Sequence, residues 1–357
     1  MKKGLFKKLI TAPNYISLNP VGIEINDESI RYIEFDNDGG NLSLKNFGNI
    51  RLDKGIIKEG EISNKTALAE IISQLKNKFS TNLIRLAVPE EKTFIFNTQI
   101  PKVTDKEIKQ AVEFKLEENV PFKADEVFFE YKKIENIKDK NNLYINVTVI
   151  PKKTIAEFSD FFESQKLYPI SFELDSIMVA KSVIPKNDKR NYIILNIKED
   201  LTVISYISNN VVRFTSTIQI GKNTMDEKLF QEAKNNGNIN MLSQQDTSPV
   251  KDGTYLLLSV FADIKSEIEK FNEYIESVMD NKKTTLENNV HKIILCGSGS
   301  TTLGLLNYMT QELKTEVALA NVWTNIFDLE QEIPKIKFND SLDFPTSIGL
   351  AMPNNRN

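Results

Sequence analysis

The sequence predicts an α/β protein of two similar lobes with a smaller α+β unit inserted into the chain of the first. Three observations predict it. A three-strand meander at residues 21–49 returns at 192–220, a duplication of pattern rather than of identity. Between the two meanders lies a strand, helix, strand, strand, helix, strand segment of about a hundred residues, enough for a subdomain of its own. The chain of 357 residues also exceeds one comfortable core.

Taken in order, residues 1–17 mix Lys2, Lys3, Lys7 and Lys8 with Leu5, Phe6, Leu9 and Ile10 and read as a flexible basic tail. Residues 18–90 read as the first part of the first lobe. Val21, Ile23 and Ile25 alternate, a polar turn follows at Asn26-Asp27-Glu28, and Ile30 and Tyr32 resume the alternation. Leu68, Ile71, Ile72, Leu75 and Phe79 predict a helix over 65–79, and 82–89 predicts a buried strand ending at Pro89.

Residues 91–185 read as the inserted unit. Its first helix, 104–118, opens on a capping box of Thr104 and Glu107. Strands at 127–134 and 143–150, a helix at 154–165, a strand at 168–174 and a segment at 175–183 complete it. Residues 186–334 read as the second lobe, with strands at 192–196, 201–208 and 210–220, an Asn209-Asn210 turn, and a helical and loop insertion over about 235–285. The strand 290–296 runs into Gly297-Ser298-Gly299-Ser300, which opens a helix. Residues 335–357 return to the first lobe through a helical piece at 347–352.

Composition narrows the function. With 45 basic and 49 acidic residues and a net charge of −4, there is no electrostatic footprint for nucleic acid or an anionic membrane. A single cysteine, Cys296, excludes an internal disulfide and fits a reducing cytoplasm. A single histidine, His291, removes most hydrolytic triads and zinc sites. It lies at the far end of the strand leading into Ser298, so a nucleophile there would have no base beside it. No apolar run approaches the roughly 20 residues of a membrane span. Trp323, Phe128-Phe129 and Phe161-Phe162 are expected in the core.

Three stretches carry a resemblance. They are Val21-Gly22-Ile23-Glu24-Ile25 with the glycine- and acid-rich 54–62; Ile100-Pro101, the helix to Glu118 and Val120-Pro121-Phe122; and Ile293-Ile294-Leu295-Cys296-Gly297-Ser298-Gly299. In this order they resemble the type IV pilus assembly protein PilM family, actin-like relatives of the division protein FtsA. The resemblance implies an actin-like fold of duplicated ribonuclease H-like lobes with an SHS2-like insert. It also implies a cytoplasmic scaffold at the inner face of the membrane, holding the tail of a PilN-like pilus protein in a groove beside the insert.

It further implies ATP with Mg²⁺ in the cleft, since actin-like sites set backbone amides, hydroxyls and carboxylates around phosphates. Matching positions are Glu24, Asn26 and Asp27 in the first loop, Asn196, Lys198, Gly221 and Lys222 in the second, and Gly297 and Gly299 in the adenosine loop. Several depart from the family pattern. Asn26 stands where a glycine is expected and would keep the turn by its tolerance of left-handed backbone. Asp27 sets a carboxylate against phosphate, Asn196 removes a metal-orienting charge, and Lys198 replaces a glycine. Lys198 and Lys222 could instead hold an anion without metal. Neither a catalytic residue nor a metal ligand is assigned. The alternative is an ATP-binding, polymerising protein nearer to FtsA.

Overall fold

A computed structural model describes residues 19–38, 41–134, 141–235, 257–280, 290–327 and 333–353. The basic tail and most of the polar stretch at 235–251 lie outside these residues. The first meander forms β1 (Val21–Ile25), β2 (Ser29–Asp38) and β3 (Asn41–Arg51), antiparallel throughout. Beyond the small hairpin of β4 (Ile57–Lys58) and β5 (Glu61–Ile62), helix α1 (Lys65–Lys76) crosses back to β6 (Leu83–Val88), which pairs parallel with β1. Asn64 caps α1 by accepting from the Ala67 amide at 3.1 Å.

The second meander, β11 (Asn191–Ile197), β12 (Thr202–Ser208) and β13 (Val211–Ile218), repeats this arrangement. Asn209 and Asn210, at φ 52° and 60°, make the left-handed two-residue turn between the last two strands. The duplication runs further than the meanders. The first sheet has strand order β10-β6-β1-β2-β3 with β10 at Tyr168–Leu174, and the second β13-β12-β11-β14-β15 with β14 (Val290–Cys296) and β15 (Val317–Leu319). Each is thus a meander extended by two parallel strands beside its first member.

The strand β10 (Tyr168–Leu174) corrects the expected extent of the insert. It pairs parallel with β6 in the first sheet. The helix before it, α3 (Lys152–Ser164), buries Phe158, Phe161 and Phe162 in the first lobe's core with Ile23, Leu68 and Ile84. Spaced i, i+3, i+4, those rings form one face, and each stabilises the lobe by about 1.5–3 kcal/mol. The insert with its own core is therefore the three-stranded sheet of β7 (Phe94–Pro101), β9 (Asn142–Pro151) and β8 (Val127–Lys133), covered by α2 (Asp105–Asn119). Its helix starts as expected, with Glu107 accepting from the Thr104 amide at 2.9 Å.

Two short helices join the lobes, α4 (Asp175–Val183) and a C-terminal helix at Pro345–Ala351. They sit in one cluster with Ile33 and Phe35 of the first sheet, Ile194 and Ile207 of the second, and the fully buried Trp323. Close approach requires glycine twice. A Cβ on Gly22 would stand 2.3 Å from the Ser347 carbonyl, and one on Gly349 would stand 2.2 Å from the Met178 carbonyl. In β1 every residue is buried, so the position between Ile23 and Ile25 carries Glu24 into the space between the lobes.

Candidate functional site

The interior of the cleft is an ion network. Lys198, one residue past β11, places Nζ 3.0 Å from Glu24 Oε1 of β1 and 2.8 Å from Asp175 Oδ2 at the start of α4. Glu24 and Asp175 are buried, at 4% and 2% exposure, and Lys198 is nearly so at 13%. Burial alone would lower the ammonium, but Asp175 and Glu24 overcome it and hold Lys198 above the ordinary lysine range. The hydroxyl of Thr346 donates to the other oxygen of Asp175, and Asn196 Nδ2 approaches Oδ2 at 3.5 Å. Beside it Arg31, paired across the hairpin with Glu24, reaches over to Glu199 of the second lobe. Burial pushes Asp343 up to about 6, with Arg31 pulling against it.

Glu24, Asn196, Lys198 and Gly297 are thus brought together around a cavity of about 10 Å³, and an adjoining opening of about 260 Å³ is lined by Glu24, Asn26, Asp27, Asp175, Lys198 and Glu199. The other candidates are placed differently. Asn26 is not left-handed; its Oδ1 accepts from the amides of Glu28 and Ser29 at 3.0 and 2.8 Å, closing the turn as a side-chain cap. Asp27 accepts from the amides of Glu59 and Gly60 at 2.7 and 3.1 Å, tying the first turn to the β4–β5 hairpin. Lys222 pairs with Asp226 along its own helix, Lys222–Asn235, and so does not join Lys198 around a shared anion. Gly221 lies against the Glu199 carbonyl and Gly299 against the Ile197 side chain.

A second opening lies beside the insert. It measures about 820 Å³ and runs between residues 128–132 of β8 and 171–174 of β10, with 210–212 of the second lobe at one end. Both β8 and β10 are edge strands of their sheets. Phe128 lines it at 53% exposure under the Lys152 ammonium, which corrects the expectation that this ring is core; Phe161, Phe162 and Trp323 are buried as expected. On its wall Lys181 donates to the Gly349 carbonyl at 2.9 Å, and burial, then Arg85, lowers it to about 8.

The family model described as type IV pilus assembly protein PilM matches residues 22–355. The chain belongs to that family. Among solved structures, the PilM-PilN type IV pilus biogenesis complex is similar at 16% identity and TM-score 0.69, covering 94% of this chain and 98% of that one. The ethanolamine utilization protein EutJ from Carboxydothermus hydrogenoformans is similar at 14% and 0.51, over 93% and 88%. At such identities the likeness is one of fold, and the fold is actin-like. No curated protein matches the chain in sequence.

In this PilM-family chain the cleft's acids and loop amides are largely taken up by internal partners. The loop amides that would cradle phosphate are engaged by main-chain carbonyls: Gly297 donates to Leu342 at 2.8 Å, Gly299 to Ile197 at 2.9 Å, Lys222 to Lys198 at 2.9 Å and Asn223 to Glu199 at 2.8 Å. Gly297, at φ +85°, has the Ile197 carbonyl 2.3 Å from where a Cβ would stand, so its bareness serves internal packing. Among the described residues no cluster of three or more His, Cys, Asp or Glu is arranged to hold a metal, and no helix is long and apolar enough to cross a membrane.

Sequence reasoning missed Arg31, Asp175, Glu199 and Thr346. One signal was available for Arg31, since it is paired with Glu24 in a hairpin whose other cross-strand pairs carry no charge. Asp175 and Thr346 meet across 171 residues of chain, and no local pattern announces that.

Proposed function

We propose that this protein is a scaffold of type IV pilus assembly that grips the cytoplasmic tail of a PilN-like inner-membrane protein as an extended peptide, without hydrolysing ATP. The observation that carries the reading is the groove between β8 and β10, whose walls are two strand edges. An edge strand offers backbone N–H and C=O groups to an added strand, while flanking pockets take alternate side chains. Phe128 and Phe172 supply apolar wall on either side, and Lys181 and Glu173 supply charge. Association with the inner face of the membrane then comes through the partner.

Fluorescence anisotropy with labelled peptides from the cytoplasmic tails of inner-membrane pilus proteins tests this. One such peptide is expected to bind, and Phe128→Ala is expected to weaken it by about tenfold while leaving the melting temperature unchanged. If no tail peptide binds, or Phe128→Ala and other groove variants leave binding untouched, the reading is wrong.

A further inference from the structure

Lys198 comes from the second lobe, whereas Glu24 belongs to the first sheet and Asp175 to the helix that leaves it. A buried carboxylate costs much free energy unless a cation meets it, and two carboxylates around one point make that demand sharper. Here one ammonium answers both, at 3.0 and 2.8 Å. Arg31 and Glu199 make a second contact of the same kind between the lobes a short distance away. An opening of about 260 Å³ reaches the same three side chains, but both carboxylates are already met by the ammonium that comes from the opposite lobe.

We propose that Lys198 is a built-in cation, a clamp that holds the two lobes together in place of a bound metal and nucleotide. The lobes are then held together whether or not Mg·ATP is present. The inference stands independently of what the groove binds, because it rests on contacts across the cleft alone. It assigns to Glu24 and Asp175 a latent capacity as well. Deprived of the ammonium, two hard oxygen ligands with Asn196 beside them are suited to Mg²⁺ or Ca²⁺.

The experiment compares thermal unfolding of the full-length wild type, Lys198→Ala and Glu24→Gln/Lys198→Ala, each alone, with millimolar MgCl₂ or CaCl₂, and with Mg·ATP. Wild-type melting is expected to ignore all three additions. Lys198→Ala is expected to melt about 10 °C lower and to recover at least half of that loss with the divalent cation. The double variant, having lost one ligand, is expected to recover none. A Lys198→Ala melting temperature within about 2 °C of wild type, a deficit that divalent cations do not relieve, or equal recovery in the double variant overturns the clamp. If Lys198→Ala does not fold, the wild-type arm decides alone: stabilisation by Mg·ATP overturns the proposal and its absence supports it.

Discussion

The central cleft and the lateral groove are both formed where separate parts of the chain meet, yet the cleft holds openings of about 10 and 260 Å³ and the groove about 820 Å³. The difference lies in what each surface does with its own polar groups. In the cleft, main-chain amides meet main-chain carbonyls and every buried carboxylate of the network faces a lysine, arginine or hydroxyl. In the groove, two strands end their sheets with no strand beyond them among the described residues. Carboxylates already met by internal cations leave a surface less to offer a ligand; an unfinished sheet edge leaves it a row of donors and acceptors.

Breaking the cleft should leave the groove at work. Asp175→Ala removes one carboxylate from Lys198 and the acceptor from Thr346, so denaturant unfolding should show a loss of about 3–5 kcal/mol, with tail-peptide affinity kept within about twofold under folding conditions. A comparable loss of affinity would mean that the two regions are one cooperative unit.

The next effect depends on pH. Glu90, in the turn between β6 and β7, accepts from the Ser176 amide at 3.3 Å, and burial, then Asp175, raises its carboxyl from 4.5 to about 7. Its folded form holds a proton more tightly than its unfolded form. Its contribution to stability is therefore full below about 4.5 and lost as pH rises through about 7. Glu90→Gln should flatten that dependence, with a differential gain on the order of 3 kcal/mol at pH above 8 relative to pH below 4.5, read from unfolding midpoints across the range. An unchanged slope would place the titration elsewhere. Smallest of all, Lys222→Ala should alter stability by less than about 0.5 kcal/mol, since its pair with Asp226 is exposed; a larger change, or an altered response to phosphate, would return Lys222 to the cleft.

Local periodicity made much of this fold legible. The alternation in 21–35 and 192–220 marks meanders, the Thr104–Glu107 spacing marks a helix start, and Asn209-Asn210 marks a turn, because each depends on residues a few positions apart. The allegiance of residues 168–174 was not legible. Apolar alternation shows that a segment is a strand without showing which sheet has a free edge for it, and this one crossed from the expected insert to the first lobe. Phe128 teaches the same about faces: next to buried Val127 it must point the other way, but whether that side is core or groove depends on distant chain. For the cleft, nine candidate positions were named, of which Glu24, Asn196, Lys198 and Gly297 lie around one small cavity and Asn26 and Asp27 line the opening beside it. The partner that defines it, Asp175, was visible only as the start of a helix.

The insert leaves the first lobe at Pro89 and returns at Pro151, yet Asn97 of β7 donates to the Arg213 carbonyl of the second lobe at 2.9 Å. The groove therefore takes its walls from three bodies, the insert, the first sheet and the turn at 210–212. Its width is not a property of any one of them. Like the gap of a caliper, it is set by how these bodies are seated on one another, and the contact from Asn97 to the second lobe helps to fix the gauge. A receptor whose jaws are already set spends less entropy on closing around a flexible tail.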